Sequence, residues 1–338
     1  MNEKTLNETA LAMVAPGKGL LAADESTGTI EKRFKGIHVE NTESNRQVYR
    51  DMLFTTPGFE KHTSGVILFE ETLFQKAVDG TPFPKLLAAK GVIPGIKVDK
   101  SAKPLVAGAR DETITEGLDG LRERLVKYRE AGARFAKWRA VITIGGGAPS
   151  YNAIQTNAHA LARYAALCQE ADIVPIVEPE VLMDGDNTAQ VCEDVTTWIL
   201  KETFQQLYFQ NVLLEGIVLK PNMIVSGKQC TQQAGVQEVA ERTLRVLKHC
   251  VPAAVPGIAF LSGGQSDELA TAHLDAMNRI GGLPWKLTFS YGRALQAAAL
   301  KAWGGKNLDA GKKAHLHRAR MNGLAAKGEW SAALEKAA

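Results

Sequence analysis

Eight short apolar runs rich in Val, Ile, Leu and Phe recur along the chain, each followed by a polar or glycine-bearing turn and a longer segment with helical spacing. They are GLLAADES at Gly19, GVILFEET at Gly65, VIPGIKVDK at Val92, RFAKWRAV at Arg134, DIVPIVEPE at Asp172, GIVLKPNM at Gly216, GIAFLSGG at Gly257 and WKLTFSYG at Trp285. Short apolar runs bounded by turn residues read as buried parallel strands, and the segments between them, such as GLDGLRERLVKYREAGA and VQEVAERTLRVLKHC, read as helices. Eight strand-helix units over about 250 to 300 residues suit a closed parallel (β/α)8 TIM barrel better than a doubly wound open sheet. No linker rich in proline, glycine or serine divides the chain, so a single α/β barrel domain over 1–338 is expected. Residues 1–18 and about 300–338 are expected as extra N- and C-terminal helices on the outside of the barrel, with a frayed, alanine-rich end, SAALEKAA.

The composition, 45% hydrophobic and 23% charged in 338 residues, is that of a globular protein with a substantial core. A formal net charge of +3 from 40 basic and 37 acidic residues gives no global field for nucleic acid or an acidic membrane surface, although an anionic small ligand stays open. Cys168, Cys192, Cys230 and Cys250 are widely spaced and show neither a C-x-x-C pair nor zinc-ligand spacing, which favours a reducing compartment and implies no metal. The N-terminus does not read as a signal peptide, and no apolar run is long enough to span a bilayer. Cytoplasmic residence is therefore expected, with a mature plastid form as the alternative.

In such a barrel the active site lies at the C-terminal ends of the strands. There the first run ends in Asp24, Glu25 and Ser26, the third in Lys97 and Asp99, the fifth in Glu178 and Glu180, and the sixth in Lys220, while the fourth carries Lys137 and Arg139. Side chains alternate along a strand, so Lys97 with Asp99, Lys137 with Arg139 and Glu178 with Glu180 each share a face. Any one pair could be a structural ion pair. So many inward charges would cost too much desolvation in a purely structural core, and a polar site explains them better. The seventh and eighth runs end in SGGQS and SYGRA, where Gly263, Gly264 and Gly292 allow close backbone approach and Ser262, Ser290 and Arg293 can donate to a phosphate. STGTIEKRF adds Ser26, Thr29, Lys32 and Arg33, with Lys97 across the mouth, as a second cationic group, so a bisphosphate would suit. Gly145 to Gly147 form no dinucleotide fingerprint and read as a flexible turn. His315 and His317 read as surface residues of an outer helix.

In GIVLKPNM, Lys220 ends an apolar run and precedes a proline, which holds it in extended geometry and helps aim its amine into the mouth. Only about one ordinary lysine in 2,500 is neutral at pH 7, so an amine nucleophile needs apolar surroundings or a neighbouring cation. The strand supplies the first and Lys137 is the candidate for the second. An amine that attacks a carbonyl carbon forms an imine, an electron sink for breaking the adjacent carbon-carbon bond, and Glu178 and Glu180 are placed to move the protons. The chemistry predicted is aldol cleavage and its reverse.

LLAADESTGTIEKR, ENTESNRQVYR, GVILFEETLFQKA, GIKVDK, FAKWR, IVPIVEPE, LLEGIVLKPNM, FLSGGQS and LTFSYGRALQAAALKAWGG, in this order from about Leu11 to about Ala325, closely resemble class I fructose-bisphosphate aldolase. The resemblance implies a metal-independent, cofactor-free glycolytic and gluconeogenic lyase on a TIM barrel, usually a homotetramer, acting on a sugar-phosphate substrate. It also implies roles: Lys220 as the Schiff-base lysine, Glu178 as general acid/base, Glu180 and Lys137 as partners around the imine, and Asp24 as the group handling the C4 hydroxyl proton. Ser262, Gly263, Gly264, Ser290, Gly292 and Arg293 resemble the site for the phosphate on C1. Ser26, Thr29, Arg33 and Lys97 resemble the site for the phosphate on C6. Thr29 stands where serine is expected, and the chain ends in EWSAALEKAA rather than a terminal tyrosine, which leaves open any role of a tail in turnover or in the preference between fructose bisphosphate and fructose 1-phosphate. The alternatives are an imine-forming aldolase preferring another ketose phosphate, such as sedoheptulose 1,7-bisphosphate, and a non-catalytic sugar-phosphate-binding scaffold.

Overall fold

A computed structural model describes residues 1–106 and 111–336. Ten strands appear in chain order: β1 (Gly19–Ala23), β2 (Thr63–Leu68), β3 (Ile93–Lys97), β4 (Ala102–Pro104), β5 (Thr113–Thr115), β6 (Phe135–Ile142), β7 (Val174–Val181), β8 (Val218–Leu219), β9 (Gly257–Phe260) and β10 (Lys286–Tyr291). Eight of them close into a parallel barrel in the order β1, β10, β9, β8, β7, β6, β3, β2, and each of the eight falls on one of the apolar runs. The TIM barrel expected from the pattern is the fold observed. The antiparallel hairpin β4–β5 is an addition that the pattern does not announce, because β4 is exposed along its length and carries no apolar face.

Helices pack around the barrel, and several start at a hydroxyl cap that accepts a hydrogen bond from a first-turn N–H: Thr42 from Asn45, Ser150 from Ala153, Thr188 from Val191 and Ser266 from Leu269. They bury the outward strand residues; Trp138 of β6, for example, stacks on Tyr164 of the helix Tyr151–Glu170 with ring centroids 5.5 Å apart. The inward residues form layers. Leu20, Ala22, Ile67, Phe135, Val174, Ile176, Val218 and Ala259 pack into one apolar cluster in the lower barrel. Two residues further along the same strands, the inward positions are Lys137, Glu178 and Lys220.

The helix Glu3–Met13 is more than an outer addition. Its Leu6, Ala10 and Met13 are fully buried in that same lower cluster, with Val14 beside them, so it plugs the N-terminal end of the barrel. At the other terminus the expectation of a frayed end is corrected. Ala332–Glu335 is a short helix, and Glu335 accepts hydrogen bonds from Arg318 Nη1 at 2.6 Å, Trp330 Nε1 at 2.9 Å and His317 Nε2 at 2.9 Å. Ala337 and Ala338 of the expected tail, and positions 107–110 of the expected domain, lie outside the described residues. His315 is also corrected: it is fully buried in the helix Leu308–Ala325 and packs on Phe59 at 5.9 Å between ring centroids. Burial pushes its imidazole down to about 4, so it is neutral at pH 7. The glycines 145–147 form the expected turn, each at positive φ and closed by a bridge from Gly145 to Ala148.

Candidate active site

Lys220 is fixed by its backbone before its side chain is considered. β8 stops at Leu219, yet Lys220 N still donates to Val177 O at 2.8 Å, and Pro221, which has no N–H to continue the ladder, accepts from Leu261 N at 3.1 Å. One residue on, Asn222 accepts from Val181 N at 3.0 Å and donates to Thr196 Oγ1 at 3.0 Å, which ties the loop to the end of β7. The side chain then points inward and is 4% exposed.

Around it the strand-end charges form a connected series. Lys220 Nζ lies 3.1 Å from Glu178 Oε1, Lys137 Nζ lies 3.3 Å from Glu178 Oε2, and Lys137 Nζ donates to Asp24 Oδ2 at 3.1 Å. Negative and positive charges thus alternate from β1 across the mouth to β8. Burial alone would raise the carboxyl of Asp24, but Lys137, Lys220 and Lys97 outweigh it and hold it well below the usual carboxylate range. Burial would likewise lower Lys137, but Asp24 and Glu178 outweigh it and keep the group an ammonium. The Lys137 contact to Glu178 Oε2 is an ion pair without hydrogen-bond geometry, and this buried oxygen accepts no hydrogen bond among the described residues.

These residues line one cleft of about 290 Å³ at the C-terminal ends of the strands. The site residues expected from the sequence that line it are Asp24, Ser26, Thr29, Arg33, Lys97, Lys137, Glu178, Glu180, Lys220, Ser262, Gly263, Ser290, Gly292 and Arg293, whereas Lys32, named with the second cationic group, is exposed and does not. Gly264 lies just behind, at φ +92°, where a Cβ would come within 2.8 Å of Arg293 Nη2. Its missing side chain makes room for that guanidinium.

The two ends of the cleft differ. At one end Arg33 pairs with Glu25, which also meets Arg50 at 3.4 Å, and Lys97 Nζ pairs with Asp99 at 2.9 Å. Ser26 Oγ and Thr29 Oγ1 lie 3.1 Å from each other, and Ser26 does not cap the helix Thr27–Lys35 that follows it, so the first-turn N–H groups are left uncapped. At the other end Arg293, in the first turn of the helix Arg293–Trp303, has no carboxylate partner among the described residues, and Ser290 Oγ is buried without a hydrogen bond. Among the described residues Arg293 is the one unpaired cation lining the cleft, since Arg139 is held by Glu180.

A family model described as class I fructose-bisphosphate aldolase, a glycolytic enzyme, matches residues 5–338. The chain belongs to the class I fructose-bisphosphate aldolases. It is 58% identical over 333 residues, 98% of this chain and 99% of the other, to a probable class 1 fructose-bisphosphate aldolase of Xanthomonas campestris. It is 55% identical to a cytosolic aldolase of Arabidopsis thaliana over 93% of this chain and 80% of that one. It also superposes with a TM-score of 0.96, at 50% identity and over 97% and 96% of the two chains, on a Plasmodium falciparum fructose-bisphosphate aldolase solved with TRAP and a small-molecule inhibitor. Like the family, the chain is a lyase that cleaves fructose 1,6-bisphosphate through a Schiff base, and its role is glycolytic. Sequence reasoning finds the aldolase strand ends but misses their pairing. That Glu25 binds Arg33, or that Arg139 binds Glu180, follows from which strands and helices become neighbours, and no local pattern carries it.

Proposed function

We propose that Lys220 attacks the C2 carbonyl of fructose 1,6-bisphosphate and that the series Asp24, Lys137, Glu178, Lys220 carries the reaction's protons; this series is the observation on which the reading rests. Before attack the ammonium gives a proton to Glu178, its nearest base, and the amine lone pair then forms the C–N bond. Glu178 returns the proton to the C2 alkoxide, takes a second proton from the nitrogen and passes it to the resulting hydroxyl, water leaves, and an iminium remains. Asp24, held ionised by Lys137, takes the C4 hydroxyl proton as the C3–C4 bond breaks and its electron pair flows into the iminium. Glyceraldehyde 3-phosphate departs, the enamine is protonated at C3, and hydrolysis releases dihydroxyacetone phosphate. Lys137 stays charged throughout and supports the ionised form of Asp24, while Glu180 holds Arg139.

The phosphate on C1 is assigned to Ser262, Gly263, Gly264, Ser290, Gly292 and Arg293, where an unpaired guanidinium and an unpartnered hydroxyl meet. The phosphate on C6 is assigned to Ser26, Thr29, Arg33 and Lys97, whose cations must loosen Glu25 and Asp99 to bind it. The chain 1–338 is taken as one barrel domain acting in the cytoplasm as a homotetramer. Reduction with borohydride in the presence of dihydroxyacetone phosphate, followed by peptide mass mapping, should find the adduct on Lys220; an adduct on Lys137 or Lys97 would overturn the assignment.

A further inference from the structure

Beyond the cleft's own residues, four loops meet behind the Arg293 guanidinium, and one of them carries a lysine in an unusually well-fixed position. Gly227, Lys228 and Gln229, which follow β8, donate their backbone N–H groups to Asn187 O, Met183 O and Gly185 O, each at 2.8 Å. This three-rung clasp joins the loop after β8 to the loop after β7. It requires glycine at 227, where a Cβ would stand 2.4 Å from Gly185 O. The far side of the lysine loop is tied as well: Gln233 Nε2 donates to Gly227 O and Cys230 O, each at 2.8 Å, and Ser226 Oγ donates to Gln232 O at 3.0 Å. Met183 of the clasp reaches the loop after β9, since a Cβ on Gly263 would meet its sulfur at 3.1 Å.

The clasp fixes the backbone of Lys228, and its ammonium lies at the phosphate end of the cleft. A Cβ at Gly264 would lie 2.8 Å from Arg293 Nη2 and also 3.0 Å from Lys228 Nζ, so the two cations stand no farther apart than the sum of those distances. The one carboxylate in contact is Asp184, on the same clasp, whose Oδ1 accepts from Lys228 Nζ at 2.7 Å. Lys228 is an exposed lysine, but its backbone is fixed by the clasp and its ammonium is held by Asp184 beside the phosphate end of the cleft. Two adjacent like charges also repel, which a dianion between or beside them relieves.

We propose that Lys228 is a specificity-determining residue for the phosphate on C1: a second cation behind Arg293 that turns from Asp184 toward a dianionic phosphoryl group when one binds. The inference rests on the assignment of Arg293 and the SGGQS and SYGRA loops to that phosphate, and it adds to it a residue on a different loop. Asp184 sets the resting position of the ammonium and so moderates the grip.

Calorimetric titration of dihydroxyacetone phosphate, which carries only this phosphate, tests it. Lys228 is partly exposed, so Lys228→Met should raise Kd roughly two- to fivefold and flatten its dependence on salt. Lys228→Arg should restore binding. Asp184→Asn, which releases the ammonium, should tighten it, and the gain should vanish when Lys228→Met is added. Arg293→Met should weaken binding by about tenfold or more, as loss of a charge-assisted contact. If Arg293→Met weakens binding while the Lys228 and Asp184 variants leave Kd and its salt dependence unchanged, Lys228 is only a clasp residue and the proposal falls. If Arg293→Met also leaves Kd unchanged, the phosphate assignment falls with it.

Discussion

The lower barrel and its mouth are built by the same strands yet obey opposite rules. Along β6 the inward residues run Phe135, Lys137, Arg139, and along β7 they run Val174, Ile176, Glu178, Glu180. The lower members need only volume and apolarity, and they find it in one another and in the plug Leu6, Ala10 and Met13. The upper members are charged groups, Lys137, Glu178 and Glu180 buried and Arg139 part-exposed, and each is held by an opposite charge from another strand. The difference teaches that a fold's stability and its chemistry can be separated by two residues' travel along a strand: the floor fixes where the strands end, and the mouth inherits that fixed geometry.

Four experiments test the separation, from the largest effect to the smallest. Lys220→Met should lower kcat/KM for fructose 1,6-bisphosphate by at least about 10⁴-fold, over 5 kcal/mol of transition-state stabilisation, while the thermal midpoint moves by only a few degrees. A comparable loss of fold would make Lys220 structural as well. Phe135→Ala should do the reverse, costing about 3–5 kcal/mol in urea unfolding through the cavity it leaves, while the protein that stays folded still forms the borohydride adduct. Asp24→Asn tests the mouth's own electrostatics. Because the folded protein depresses the Asp24 pKa, its carboxylate stabilises the fold above the ordinary carboxylate pKa near 4, and that contribution is lost as the pH falls below it. The urea midpoint of Asp24→Asn should therefore lie below that of the parent at pH 7 and 4.5, and the gap should shrink toward pH 3; a constant gap would mean that charge is not its source. Glu170→Ala removes an exposed ion pair with Arg122 and should change stability by less than about 0.5 kcal/mol.

The barrel strands are legible in the sequence because a strand buried on both faces must be apolar nearly throughout, and only its last inward residues can depart from that. Those departures mark Asp24, Lys97, Lys137, Glu178 and Lys220. The hairpin β4–β5 is not legible, because its pairing is backbone hydrogen bonding between exposed residues. His315 is not legible either: its helix carries lysines and an arginine close by, and only packing against Phe59 reveals which side turns inward. Lys228 is hidden for a third reason, since the place of its backbone is set by N–H groups binding carbonyls, which every residue but proline offers.

The helix Glu3–Met13 turns the barrel from a tube into a cup. Among the described residues the floor is stoppered by fully buried side chains, and the cleft opens at the other end, where the charged groups lie. The water expelled when the imine forms, and the water later consumed to release it, have the same opening to use as the sugar.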